Sequence, residues 1–98
     1  MNLNIGNMGI WGFRHYEYLK QNRPSTVSVM RMKGTLEGYL KEVNQEATTM
    51  LETLILQYAK SEGVTEALKR VNQLGWVQKM NLIRNRAEEV VLNEIIYR

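Results

Sequence analysis

Cysteine and aspartate are both absent from this 98-residue chain, and histidine and proline occur once each, as His15 and Pro24. The lack of cysteine excludes disulfides, thiolate metal sites and a cysteine nucleophile, and fits a reducing cytoplasm. The lack of aspartate excludes an Asp-based metal cluster or phosphoryl-transfer centre. One histidine cannot build a His-based metal site or a Ser-His-Asp triad. Gly9-Ile10-Trp11-Gly12 has neither a preceding strand nor the following lysine of a phosphate-binding loop. Glu88 and Glu89 are adjacent, so on a helix they point to different sides and do not form an acid–base pair. Long apolar runs are missing too: no stretch approaches the roughly 20 residues of a membrane span, and residues 1 to 10 lack the basic and apolar regions of a signal peptide. These absences predict a soluble, cytoplasmic, non-enzymatic protein that uses no cofactor, metal or small-molecule substrate and does not engage a membrane.

A chain of this size has room for one domain, residues 1–98, and buries a modest fraction of its unfolded surface, which favours oligomerisation. Its formal charge is +3, unevenly spread. Residues 1–41 carry a net +4, residues 42–68 a net −4, residues 69–86 a net +5 with no acid, and residues 87–98 a net −2. Such alternation lets basic and acidic surfaces meet within the protein, between copies or on nucleic acid; otherwise these are simply solvated helix faces.

Apolar periodicity predicts an all-α protein, a small helical bundle or elongated helical hairpin of about four helices with a long C-terminal amphipathic helix. Glycines crowd the start, so residues 1–10 read as a flexible or extended lead-in. A short helix from about Gly12 must end before Arg23-Pro24, and Pro24 suits the first turn of the next. Val29, Met32, Leu36, Leu40, Val43, Ala47, Leu51, Leu54 and Tyr58 then keep helical phase. They are written as helices over about 24–43 and 45–62, or one rod bent near Gly34. Gly63 supplies a stop and Thr65 the next start.

The last stripe runs Leu68, Val71, Leu74, Val77, Met80, Ile83, Ala87, Val91 and Ile95. An unbroken helix over 65–97 would be about 50 Å long, whereas a compact monomer of this length is only about 30 to 35 Å across. Either the helix breaks near Asn72 to Gly75, or the molecule is elongated and covers its stripe with another copy. The second option predicts a homodimer, with Trp11, Leu68, Trp76, Val77, Met80, Ile83, Val91 and Ile95 as candidate interface residues. Arg84 and Glu94 fall within the apolar arc and are candidate buried charges, most simply as members of structural ion pairs. His15 reads as a helix-surface residue. Arg14, Lys20, Arg23, Arg31 and Lys33, interleaved with Phe13, Tyr16 and Tyr18, are the candidate nucleic-acid contacts, suited to phosphates rather than base edges. No recognition-helix pattern follows the Asn22-Arg23-Pro24 turn.

Several blocks carry a family resemblance. The C-terminal one comprises Glu62-Gly63-Val64-Thr65-Glu66, Leu68-Lys69, Asn72-Gln73-Leu74-Gly75-Trp76-Val77, Met80-Asn81, Ile83-Arg84-Asn85-Arg86-Ala87-Glu88-Glu89 and Val91-Leu92-Asn93-Glu94-Ile95-Ile96-Tyr97. An earlier one comprises Gly9-Ile10-Trp11-Gly12, Tyr18-Leu19-Lys20 and Arg23-Pro24. In order and spacing they resemble the transposon-encoded TnpV family of small bacterial proteins. The chain departs from that pattern in lacking a leader rich in Tyr, Pro and Glu, and in carrying Asn72 where aspartate is common. The resemblance implies origin on a bacterial mobile element and no defined reaction. The expected role is a transposon accessory protein acting as a helical protein-interaction module, partnered by itself or by a transposition protein; the alternative is a small DNA-binding regulator. A transposase is disfavoured, because a carboxylate triad would need three glutamates on a chain too short for a nuclease-like sheet.

Overall fold

The computed structural model describes the backbone of residues 5–98 and the side chains of residues 9–98, and among these residues there is no strand. The chain is all-α: α1 (Ile5–Asn22), α2 (Pro24–Lys33), α3 (Leu36–Ser61), α4 (Glu66–Val71) and α5 (Gln73–Val91), the last continuing into a π turn (Leu92–Ile96). α3 is the spine, and its 26 residues span about 39 Å. α1 packs along its N-terminal half with α2 across that end against both, and α5 packs along its C-terminal half; the backbones of α1 and α5 do not approach one another, and the π turn bridges them by meeting both α1 and α3. Placing partners end to end along one spine makes the molecule 55 × 22 × 17 Å. Its radius of gyration, 16.9 Å, exceeds the roughly 13 Å of a compact chain of this length.

Two apolar clusters follow from this arrangement. Trp11, Val43, Ala47, Val91, Ile95 and Ile96 fill the middle, and Leu19, Val27, Leu36 and Leu40 fill the α2 end, with Tyr39 packed against both. The α3 stripe thus buries as its period requires.

The helix boundaries depart from the sequence-based expectation in the lead-in and within residues 24–62. The lead-in over 1–10 is not extended where it is described: α1 begins at Ile5 and is kinked at Gly9, while residues 1–4 lie outside the described residues. Gly9 has φ 74° and ψ 174°, a region essentially reserved for glycine. A β-carbon there would also overlap the Asn44 carboxamide. That carboxamide explains the kink, because Asn44 Oδ1 accepts from the backbone N–H groups of Trp11 at 3.1 Å and Gly12 at 3.3 Å. A residue inside α3 therefore caps the renewed start of α1, satisfying donors that a helix N-terminus leaves open. For the same reason α3 does not break at Asn44, whose amide oxygen accepts from another helix rather than competing for its own backbone.

The break in residues 24–62 lies instead at Gly34, whose left-handed φ of 72° lets its N–H return to the carbonyls of Met30 and Arg31. Gly63 ends α3 as expected, and Thr65 Oγ1 accepts from Leu68 N to open α4. The long C-terminal helix both breaks and belongs to an elongated molecule. Asn72 leaves helical geometry, its N–H closes α4 on Leu68 O at 2.7 Å, and its Oδ1 accepts from Gly75 N at 3.0 Å to open α5.

Arg84 and Glu94 are exposed rather than buried. Arg84 shares the phase of Val91, yet at its level only α3 covers α5, so the flank stays open. Glu94 sits in the π turn, where Tyr97 N bonds Leu92 O; the extra residue per turn rotates later side chains away from the α-helical phase.

Candidate functional site

His15 is buried, with 1 % of its surface exposed, and not on a helix surface. One ring nitrogen, Nδ1, lies 2.7 Å from the Ile96 carbonyl oxygen and the other, Nε2, 2.8 Å from the Tyr39 hydroxyl. A carbonyl only accepts, so Nδ1 carries the proton, and Nε2 accepts from the tyrosine O–H. Desolvation lowers the imidazole's pKa below its ordinary value of 6.5; the bond to Ile96 raises it, Arg98 lowers it and Glu46 raises it, each by less. Arg98 and Glu46 form a two-bonded pair, at 3.1 and 3.3 Å, that ties the C-terminus to α3. His15 thus joins α1, α3 and the π turn. No group of residues able to hold a metal occurs among the described residues. The sequence carries no signal that brings Tyr39 and Ile96, from two other elements, to this ring.

Of the eight candidate interface residues, Trp11, Ile83, Val91 and Ile95 are buried in the chain's own core. They lie inside this chain rather than on its surface. Leu68, Trp76 and Met80 are half-buried and Val77 is exposed. Two residues expected in the buried stripe stand out instead: Val71 is 87 % exposed and Leu74 70 %. The break at Asn72 turns α4 off the axis of α5, so the stripe is not one continuous face. Val71, Leu74 and Val77 form an apolar elbow. Lys69, packed 4.7 Å over the Trp76 ring, and the exposed Arg70 stand just before it on α4. Arg86, by contrast, is engaged by Glu62 at 2.7 Å and lies over the Tyr58 ring. The opposed charge blocks of residues 42–68 and 69–86 therefore meet within the molecule at this pair.

All five candidate nucleic-acid contacts are exposed. The structure brings only two of them together. Lys20 and Arg31 converge on Tyr16 in a cleft between α1 and α2, while Arg14 lies over the Trp11 ring on another face of α1 and Arg23 and Lys33 mark the two ends of α2. A hollow of about 580 Å³ along α3, from Glu42 to Leu54, is lined by Met50 and threonines and carries no cation. No described helix is long and apolar enough to cross a membrane.

Comparison with known proteins agrees with the blocks quoted above. No curated protein and no solved structure matches the chain. A family model described as "Transposon-encoded protein TnpV" matches residues 2–96, nearly the whole chain. Both of the sequence blocks, the Gly9 kink with its neighbouring Trp11 and the Asn72 cap with its Gly75 partner, fall inside that match, and the chain belongs to the TnpV family of transposon-encoded proteins.

Proposed function

We propose that this transposon-associated protein performs no covalent chemistry and acts as a helical interaction module, using the α4–α5 elbow to dock an acidic, apolar segment of another protein of its element. The observation behind this reading is the exposure of Val71, Leu74 and Val77 at the α4–α5 turn, with the cations Lys69 and Arg70 just before it. Contiguous exposed apolar side chains with a charged rim mark an interaction surface. The rim selects the partner. Two identical elbows facing each other would set like charges together, which opposes association. A second copy fits this surface by offering its acidic stretch, where Glu42 and Glu52 are exposed on α3.

Trp76 lies beside the elbow and serves as a native probe. Titration with each protein encoded by the same element should shift its emission. Replacing Val71 and Leu74 together by glutamate should weaken that binding by at least about tenfold, the effect of losing an apolar anchor and adding repulsion. Unchanged affinity in that variant would overturn the elbow as the docking site, and light scattering of the protein alone would reveal head-to-tail self-association.

A further inference from the structure

We propose that the cleft between α1 and α2 is a binding site for the phosphodiester backbone of nucleic acid, with Lys20 and Arg31 as its cations and Tyr16 as the hydroxyl that aligns them. The site is independent of the elbow. It measures about 410 Å³ and is lined by Tyr16, Lys20, Pro24, Val27, Ser28 and Arg31. Arg31 Nη2 donates to the Tyr16 hydroxyl at 2.9 Å. The Lys20 ammonium sits 5.0 Å from the centre of the same ring. Both cations are therefore held against one tyrosine, one from each wall of the cleft.

The charge in this cleft is not neutralised from within. Arg31 meets a neutral hydroxyl where a structural arginine would meet a carboxylate, and four of its five N–H donors remain for another acceptor. Lys20 has one acid nearby, Glu17, in an exposed pair at 3.5 Å, which screening leaves weak. Tyr16 accepts the Arg31 N–H with its oxygen and so keeps its own proton to donate. The Ser28 hydroxyl on α2 adds a further donor to the lining. Guanidinium, ammonium and hydroxyl donors converging on an open cleft match a phosphate oxygen set and present no surface for reading base edges. Arg23 just before α2 and Lys33 at its end are further exposed cations at this end of the molecule, and a polymer of phosphates can engage them together with the cleft as an isolated anion cannot. Binding at this site is therefore sequence-tolerant and salt-dependent.

The test is fluorescence anisotropy of a labelled duplex and a labelled single strand over a salt series. It compares the unmodified protein with Arg31→Gln, Lys20→Gln, Tyr16→Phe and, as a matched control, Lys79→Gln at the far end. All four substitutions keep the core intact, and circular dichroism checks the fold. Losing one phosphate contact lowers the slope of log K against log salt by about 0.9 on duplex DNA and weakens binding about eightfold at about 0.1 M salt. Arg31→Gln and Lys20→Gln should each show this, Tyr16→Phe a smaller loss at unchanged slope, and Lys79→Gln neither. Equal effects from Lys79→Gln and Arg31→Gln would overturn the cleft as the site, because binding would then follow total charge alone. Absence of binding to either nucleic acid at low salt would overturn it too. So would inorganic phosphate or a free nucleotide binding as tightly as the polymer, because the cleft would then be a small-anion site.

Discussion

Replacing His15 by leucine removes one buried ring of similar size and orphans two polar groups at once, the Ile96 carbonyl and the Tyr39 hydroxyl. A buried group left without a partner costs about 1–3 kcal/mol, and Tyr39 is only half-buried, so the pair predicts a loss of roughly 2–5 kcal/mol. Against the total of about 5–15 kcal/mol typical of a domain, that is a large fraction. It corresponds to a fall in Tm of about 10 °C or more at this chain length. His15→Asn, which keeps a donor near the Nδ1 position, should recover the part due to Ile96.

The pH dependence supplies the sharper test. Burial depresses the folded-state pKa below the unfolded 6.5, so the unfolded chain binds the proton more readily. The resulting stability is fully present above the unfolded pKa, and is lost as pH falls from about 6.5 towards the lower folded value, with a limiting slope of about 1.4 kcal/mol per pH unit. The charged groups facing the ring, Arg98 and Glu46, oppose one another in their effect on it, so burial sets the sign. Urea melts followed by circular dichroism between about pH 7.5 and 5.5 measure this slope. An equal slope in the unmodified protein and in His15→Leu would refute the assignment, as would stability that rises on acidification.

Two further perturbations follow from the caps. Gly9→Ala forces a β-carbon into left-handed geometry and against Asn44; it should cost about 1–3 kcal/mol for the backbone and about 1 kcal/mol more as the cap is displaced, measured by the same melts. Asn72→Asp keeps the acceptor for Gly75 N, adds a charge that favours the α5 N-terminus, and should stabilise the fold by about 0.3–1 kcal/mol at neutral pH and low salt, whereas Asn72→Ala should cost about 1 kcal/mol.

The helical class was legible along the chain because apolar spacing is a local property. Pro24, Gly63 and Thr65 mark their boundaries through conformational preferences that act within a turn. The charge of Arg31 and Lys20 was equally plain. Their convergence on Tyr16 was not, because it depends on how α2 folds back after Pro24. The burial expected of Arg84, Val71 and Leu74 differs for a related reason. Periodicity assigns a side chain to a face of its own helix, but whether that face is covered depends on which other helices pass at that level. Val91 is buried where α5 runs into the junction with α1, and Arg84, at nearly the same phase two turns earlier, is exposed.

His15 and Asn44 show the boundary most clearly. Sequence alone determined that the chain is helical, that its composition excludes histidine-cluster and cysteine chemistry, and that its blocks match a transposon-encoded family. Tertiary structure alone decided that its one histidine is a neutral buried strut, that an asparagine inside one helix caps another, and that the elbow at Val71 is open. Local propensity acts through neighbours within a few residues, whereas burial and partner choice arise from contacts across 24, 33 and 81 positions of chain. Only the folded backbone brings such residues together.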